Sequence, residues 1–207
     1  MTGPKPRASA LSPEFALLGL LRLEPGHGYE IHQRLQQELG ALWTVHQNQA
    51  YNILHRLEAA GCVRTLDPVP GGGARLRRRF HLTLAGRRRF DAWLRRPTGL
   101  SVRALRVDFL TRLFFARRID PGLARRIIET QLEVTRAGLE RLQQAGPASA
   151  AGTTLDDLST GLRLRQLGLA VDWLQGLQTQ VESLRVNEAD GAKGSPTRGH
   201  RPCPGTP

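Results

Sequence analysis

The spacing of apolar residues, and the point where that spacing changes period, limits this chain more than any other feature. Three successive segments carry helical spacing. The first opens at Ser12-Pro13-Glu14, which offers a capping hydroxyl, a proline suited to the first helical position and an acid at the positive helix end. It runs through FALLGLLRLE and stops at Pro25-Gly26. The second starts near His27-Gly28, repeats Ile31, Leu35 and Leu39 every four residues, and ends at Gly40. The third spans roughly Asn48 to Ala60, with Ala50, Ile53, Leu54 and Leu57 on its inner face and Gly61 at its end. Then the period shortens. Val63–Leu66 and Arg79–Leu82 read as two short strands around the turn-prone Pro70-Gly71-Gly72-Gly73, and Thr83 caps a fourth helix through Trp93 and Leu94.

Helix, helix, helix, hairpin, helix is the layout of a winged helix-turn-helix. Beyond Pro97-Thr98-Gly99 the pattern is entirely helical: 102–118, a helix after Asp120-Pro121 to about Gln144, and a last one over about 155–185. In that last helix Leu167, Ala170, Leu174, Leu177, Val181 and Leu184 keep a 3-4-3-4-3 spacing. With Phe109, and the bulk of Phe114 and Phe115, this stripe is expected to pair two copies of the chain. The alternative is that it closes a monomeric helical core, which the same spacing suits. The expected fold is mainly α, an N-terminal winged helix with a two-stranded wing plus a C-terminal helical dimerisation domain. The expected boundaries are a disordered 1–11, a winged helix over 12–97 able to fold when cut at Gly99, a helical module over 98–185, and a disordered tail over 186–207.

Charge points to a partner. The net charge is +12, and Lys5 and Lys193 are the only lysines. Residues 71–97 hold nine Arg against Asp91, net +8, whereas 12–70 hold four Arg against six acids, net −2, and 98–185 hold twelve Arg against nine acids, net +3. An excess concentrated in one segment is the footprint of a nucleic-acid contact. Other classes find little support. No apolar run approaches a membrane span, and the N-terminus has no secretory pattern. Cys62 and Cys203 make no disulfide framework or metal spacing, so a reducing cytoplasm is expected. The histidines form no His-Glu-x-x-His pair. Cys62 reads as a small core residue, and Asp156-Asp157 as an acidic helix start. No catalytic residue, metal or cofactor is expected. Trp43, Trp93 and Trp173 suit core or interface positions better than ligand stacking.

Four motifs occur in a fixed order: Phe15-Ala16-Leu17-Leu18-Gly19-Leu20-Leu21, His27-Gly28-Tyr29-Glu30-Ile31, Tyr51 with Leu54, Leu57-Glu58 and Gly61, and Arg79-Phe80-His81-Leu82-Thr83 followed by Ala85-Gly86-Arg87. Together they resemble the PadR (phenolic acid decarboxylase regulator) family of transcription factors. Arg103–Ala116 is similar to the long C-terminal domain of its larger subgroup. The resemblance implies a homodimer that binds a palindromic operator in double-stranded DNA, usually to repress, and is released by a small molecule or another signal. Asn52 and Leu84 stand where the family usually has proline, and Phe80 where tyrosine is frequent.

The residues support that reading independently. With Ala50, Ile53, Leu54 and Leu57 inward, Asn48, Asn52, His55 and Arg56 fall on the outer side of the third helix, with Gln47 and Gln49 at its start and Tyr51 beside them. Asn and Gln can pair bidentately with adenine, and Arg with guanine, in the major groove. Arg75, Arg77, Arg78 and Arg79 follow the glycines of the hairpin and suit phosphate or minor-groove contact. A helical protein-interaction adaptor and an Arg-rich RNA-binding protein are the competing readings. The low aromatic content, 5%, weighs against RNA.

Overall fold

The protein is described by a computed structural model over residues 12–66, 78–145 and 154–193, with side chains through Val181. Residues 1–11, the 194–207 part of the tail expected over 186–207, and the hairpin tip lie outside the described residues. The elements run α1 (Glu14–Leu23), β1 (Gly26–His27), α2 (Gly28–Leu39), α3 (Gln47–Ala59), β2 (Val63–Leu66), β3 (Arg79–Leu82) and α4 (Leu84–Arg95). A π-helical segment (Ala104–Phe109) then leads into α5 (Leu110–Ile119), α6 (Pro121–Gln144) and α7 (Leu155–Lys193).

Local chemistry sets the ends of these elements. The Ser12 hydroxyl accepts from the Glu14 N–H at 3.3 Å, and the Thr83 hydroxyl accepts from the Gly86 N–H at 3.1 Å to open α4. Asp120 caps α6 through the Gly122 N–H at 2.8 Å, with Pro121 in the first turn. Thr154 and Asp157 bond each other's backbone N–H groups at the start of α7, a capping box that uses the second acid of the Asp156-Asp157 pair.

The sheet holds one strand more than the sequence suggests. Its order is β1-β3-β2, antiparallel throughout, with Gly26 opposite Phe80 and Val63 opposite Leu82. At two residues, β1 is too short to leave a period in the sequence, and pairing with β3 alone creates it. The expected single helix over 102–118 is interrupted by π geometry, and α7 continues to Lys193, past the expected boundary at 185.

The core is continuous from α1 to α7, and α5 is part of the winged helix interior. Phe115 is fully buried, its ring 5.5 Å from Phe90 and so close to Gly19 that a Cβ there would fall 2.3 Å from the ring. Only glycine lets α1 and α5 approach this closely. Trp43 donates to the Thr111 hydroxyl at 2.8 Å inside the core. Trp93 stacks on Phe15 at 4.8 Å and donates to Asp108 at 3.1 Å. Arg112, 4% exposed, donates to the Trp93 carbonyl at 2.5 Å, to the Arg96 carbonyl and to Asp108 at 2.8 Å. Burial pushes the Arg112 guanidinium below its ordinary value, and the Asp108 carboxylate opposes that shift.

The leucine stripe of α7 turns inward. Leu167 and Leu174 are buried, Ala170, Leu177 and Val181 pack against the same core, and Phe109 is fully buried with its ring 5.8 Å from Trp173. Residues expected to pair two chains are thus held within one. Leu184 lies beyond the residues whose side chains are described. Left outward on α7 are Leu155, Leu158, Leu162, Leu169 and Trp173, with Leu155 81% exposed.

Because α5 fills the winged helix, a chain cut at Gly99 is expected not to unfold cooperatively in urea, contrary to the expectation from sequence. Phe115→Ala in the full chain is expected to cost about 3–5 kcal/mol by loss of burial and a residual cavity. A cooperative transition from the truncated chain would show that Phe115 is dispensable to that core.

A candidate nucleic-acid interface

The candidate surface is built on the start of α3, and three contacts fix its position. The carbonyl of Val45 accepts from His32 Nε2 and from Gln36 Nε2, each at 2.9 Å, so α2 holds the segment that enters α3. Trp43 anchors the same segment to α5. The third contact is between Gly28 and Tyr51: a Cβ on Gly28 would lie 2.3 Å from the tyrosine ring. The first turn of α2 therefore meets the Tyr51 ring of α3 with bare backbone.

This arrangement buries Ala50, Ile53, Leu54 and Leu57 and leaves Gln47, Asn48, Gln49, Asn52, His55 and Arg56 exposed, as the spacing predicts. Tyr51 is half-buried beside Gly28. A cleft of about 490 Å³ brings Gln47, Tyr51 and His55 together with Arg78, and adds His27 and Tyr29 from the start of α2. Asn48, Gln49, Asn52 and Arg56 stand outside this cleft on the open side of α3. Sequence reasoning did not select His27 and Tyr29. The available signal was Tyr29 itself, a large ring at the N-terminal turn of α2 that stays half exposed.

The wing is tied to this surface by one backbone carbonyl and one guanidinium group. His27 Nδ1 donates to the Arg78 carbonyl at 3.2 Å, and Arg79 donates to the Pro25 carbonyl at 3.1 Å. Arg78 and Arg79 therefore leave the sheet from a fixed base. Arg75 and Arg77 lie outside the described residues.

One acid sits among these groups. Glu58 accepts from the Thr65 hydroxyl at 2.6 Å, joining α3 to β2, and lies 3.6 Å from His55 Nδ1. The Thr65 hydrogen bond holds its carboxyl below the ordinary value of 4.5; burial opposes this, and His55 and Arg78 assist it. Among the described residues no cluster of three or more His, Cys, Asp or Glu could hold a metal, and no helix is long and apolar enough to cross a membrane. Cys62 is buried, and its backbone carbonyl accepts from the Thr83 N–H at 3.0 Å.

A carboxyl whose folded value is lowered stabilises the fold above its unfolded value, and that contribution is lost as pH falls through the folded value. Thr65→Val is therefore expected to return Glu58 toward 4.5 and so to remove the part of the acid-side loss of stability that Glu58 contributes. A carboxyl NMR titration of both proteins checks this. Identical Glu58 titration curves would assign the shift to another cause.

Comparison with known proteins gives a consistent family. Residues 17–92 match the transcriptional regulator PadR-like family. The chain is 27% identical over 131 residues to the negative transcriptional regulator PadR of Bacillus subtilis (strain 168), an alignment spanning 63% of this chain and 70% of that protein. Solved structures that are similar include Bacillus subtilis PadR in complex with operator DNA (24% identity, 81% of this chain and 98% of that chain, TM-score 0.40). Another is the PadR-like transcriptional regulator BC1756 from Bacillus cereus (21% identity, 83% and 99%, TM-score 0.37). A third is Bacillus subtilis PadR in complex with p-coumaric acid (24% identity, 82% and 98%, TM-score 0.37).

Proposed function

We propose, from the match of residues 17–92 to the transcriptional regulator PadR-like family, that this chain is a member of that family, binds operator DNA as a homodimer and represses transcription. The observation that carries the DNA contact is the exposed start of α3: Gln47, Asn48, Gln49, Asn52, His55 and Arg56 share an open surface beside an arginine-rich wing. Such a helix enters the major groove with its N-terminal residues on the base edges while the wing holds the flanking backbone. Repression follows the curated relative, a negative regulator. Release by a small molecule and a cytoplasmic location go with the same reading.

Selection of binding sites from random duplex DNA tests it, with an enriched inverted repeat as the expected product. Asn48→Ala and Asn52→Ala are expected to alter the preferred base at one position per half-site, at about 1–3 kcal/mol each. Arg79→Ala is expected to weaken all duplexes alike and to lower the salt slope by about one. An equal loss on every sequence for the two asparagine variants would make them positioning groups rather than readers.

Pairing is assigned to the outward face of α7. Leu155, Leu158, Leu162, Leu169 and Trp173 follow each other at intervals of three, four, seven and four residues, with Trp173 43% exposed. An apolar stripe at heptad spacing left in water is an interaction face, and a two-fold partner offers the same stripe. Below it, Val102, Leu105, Leu110 and Trp173 line a largely apolar cleft of about 450 Å³ that a partner side chain can fill. Leu162→Glu is expected to give a folded monomer in light scattering that binds operator at least about tenfold more weakly, through lost effective concentration. An undisturbed dimer would move the interface elsewhere.

A further inference from the structure

A third cleft, of about 390 Å³, lies on the sheet face turned away from α3. The pleat decides which residues reach it. Thr65 pairs with Phe80, and both face α3: Thr65 bonds Glu58, and the Phe80 ring lies 6.2 Å from His55. Arg64 pairs with His81, one residue out of step, so both point to the opposite face. There they meet Arg22 from the last turn of α1 and Arg87 from α4.

Three guanidinium groups and an imidazole thus converge on one cleft. The acid opposing them is Asp91, at 3.9 Å from Arg87. Among the described residues no acid pairs with Arg22 or Arg64, and Arg22 Nε is buried without an acceptor. Guanidinium groups of like sign lining one cleft repel one another until an anion enters. The same field acts on His81, whose imidazole is held below 6.5 by burial first and then by Arg64 and Arg79. Leu21, Pro25, Leu82, Thr83 and Leu84 complete the lining and leave room for an organic group beside the anion.

We propose that this cleft binds the phosphate group of a small phosphate ester. Arg22, Arg64 and Arg87 supply the planar donor pairs that suit a phosphate. None of the residues assigned to the α3 surface lines the cleft, so loss of the α3 contact with DNA would leave its lining intact.

The test is an NMR titration of the full chain with inorganic phosphate and with glycerol 3-phosphate, against sodium chloride at matched ionic strength. The His81 ring and the Arg22 Nε–H are the reporters. Saturable shifts with both phosphates but not with chloride are expected. Arg64→Gln and Arg22→Gln, at exposed and half-buried positions, are each expected to weaken binding at least about tenfold with the melting temperature preserved. Equal shifts with chloride, or unchanged affinity in both variants, would overturn the site. If His81 responds to duplex DNA and to neither phosphate, the small-ligand source is wrong and the cleft is a backbone contact.

Discussion

The structure depends on the seating of α5 beneath α1. Phe115 is in contact with Gly19 and Phe90, and its removal from that position would empty the centre of the N-terminal half. One turn before it on the same helix, Arg112 binds the carbonyls that end α4 and is held by Asp108, which also takes the Trp93 indole N–H. A buried guanidinium is tolerated because it is paired and multiply bonded; either partner alone would be a buried, uncompensated charge. The cation also sits 4.7 Å from the centroid of the Trp93 ring, so one residue satisfies a helix end, an ion pair and an aromatic face.

That joint makes the N-terminal and C-terminal halves one packed body and not two modules on a linker. The surface at the start of α3 inherits its rigidity from it. Trp43 runs from the segment before α3 to Thr111 on α5, and His32 and Gln36 hold Val45 from the other side. A change in the packing of α5 or of the π-helical turn before it therefore reaches the entry to α3 through side chains in direct contact. This is a physical route by which an event at the C-terminal helices could bear on DNA reading.

The two faces of the small sheet divide the basic groups of the N-terminal half. Phe80 and Thr65 join the sheet to α3, and the cleft on that side collects Gln47, Tyr51, His55 and Arg78. Arg64 and His81 alternate to the other side and meet Arg22 and Arg87. The pleat alone separates them, since neighbouring residues of a strand point to opposite faces. The charge that composition reports as one basic excess is therefore two separate concentrations with different surroundings.

Much of this was legible in the sequence because it is local. Period, caps and turn residues fix where α1 to α4, α6 and both long strands begin and end, and the inner face of α3 follows from Ala50, Ile53, Leu54 and Leu57. What only the tertiary structure decided is what depends on a distant partner. Strand β1 exists because Gly26 and His27 meet Phe80 and Arg79. His27 and Tyr29 join the α3 cleft because Gly28 lets Tyr51 approach. The heptad-like stripe from Leu167 carries no label saying which surface it meets. An apolar face packs equally well on its own chain or on a copy, and here the remaining chain supplies the cover. The sequence determined that α7 has such a face, and packing against the core of the same chain determined which of its leucines stayed exposed.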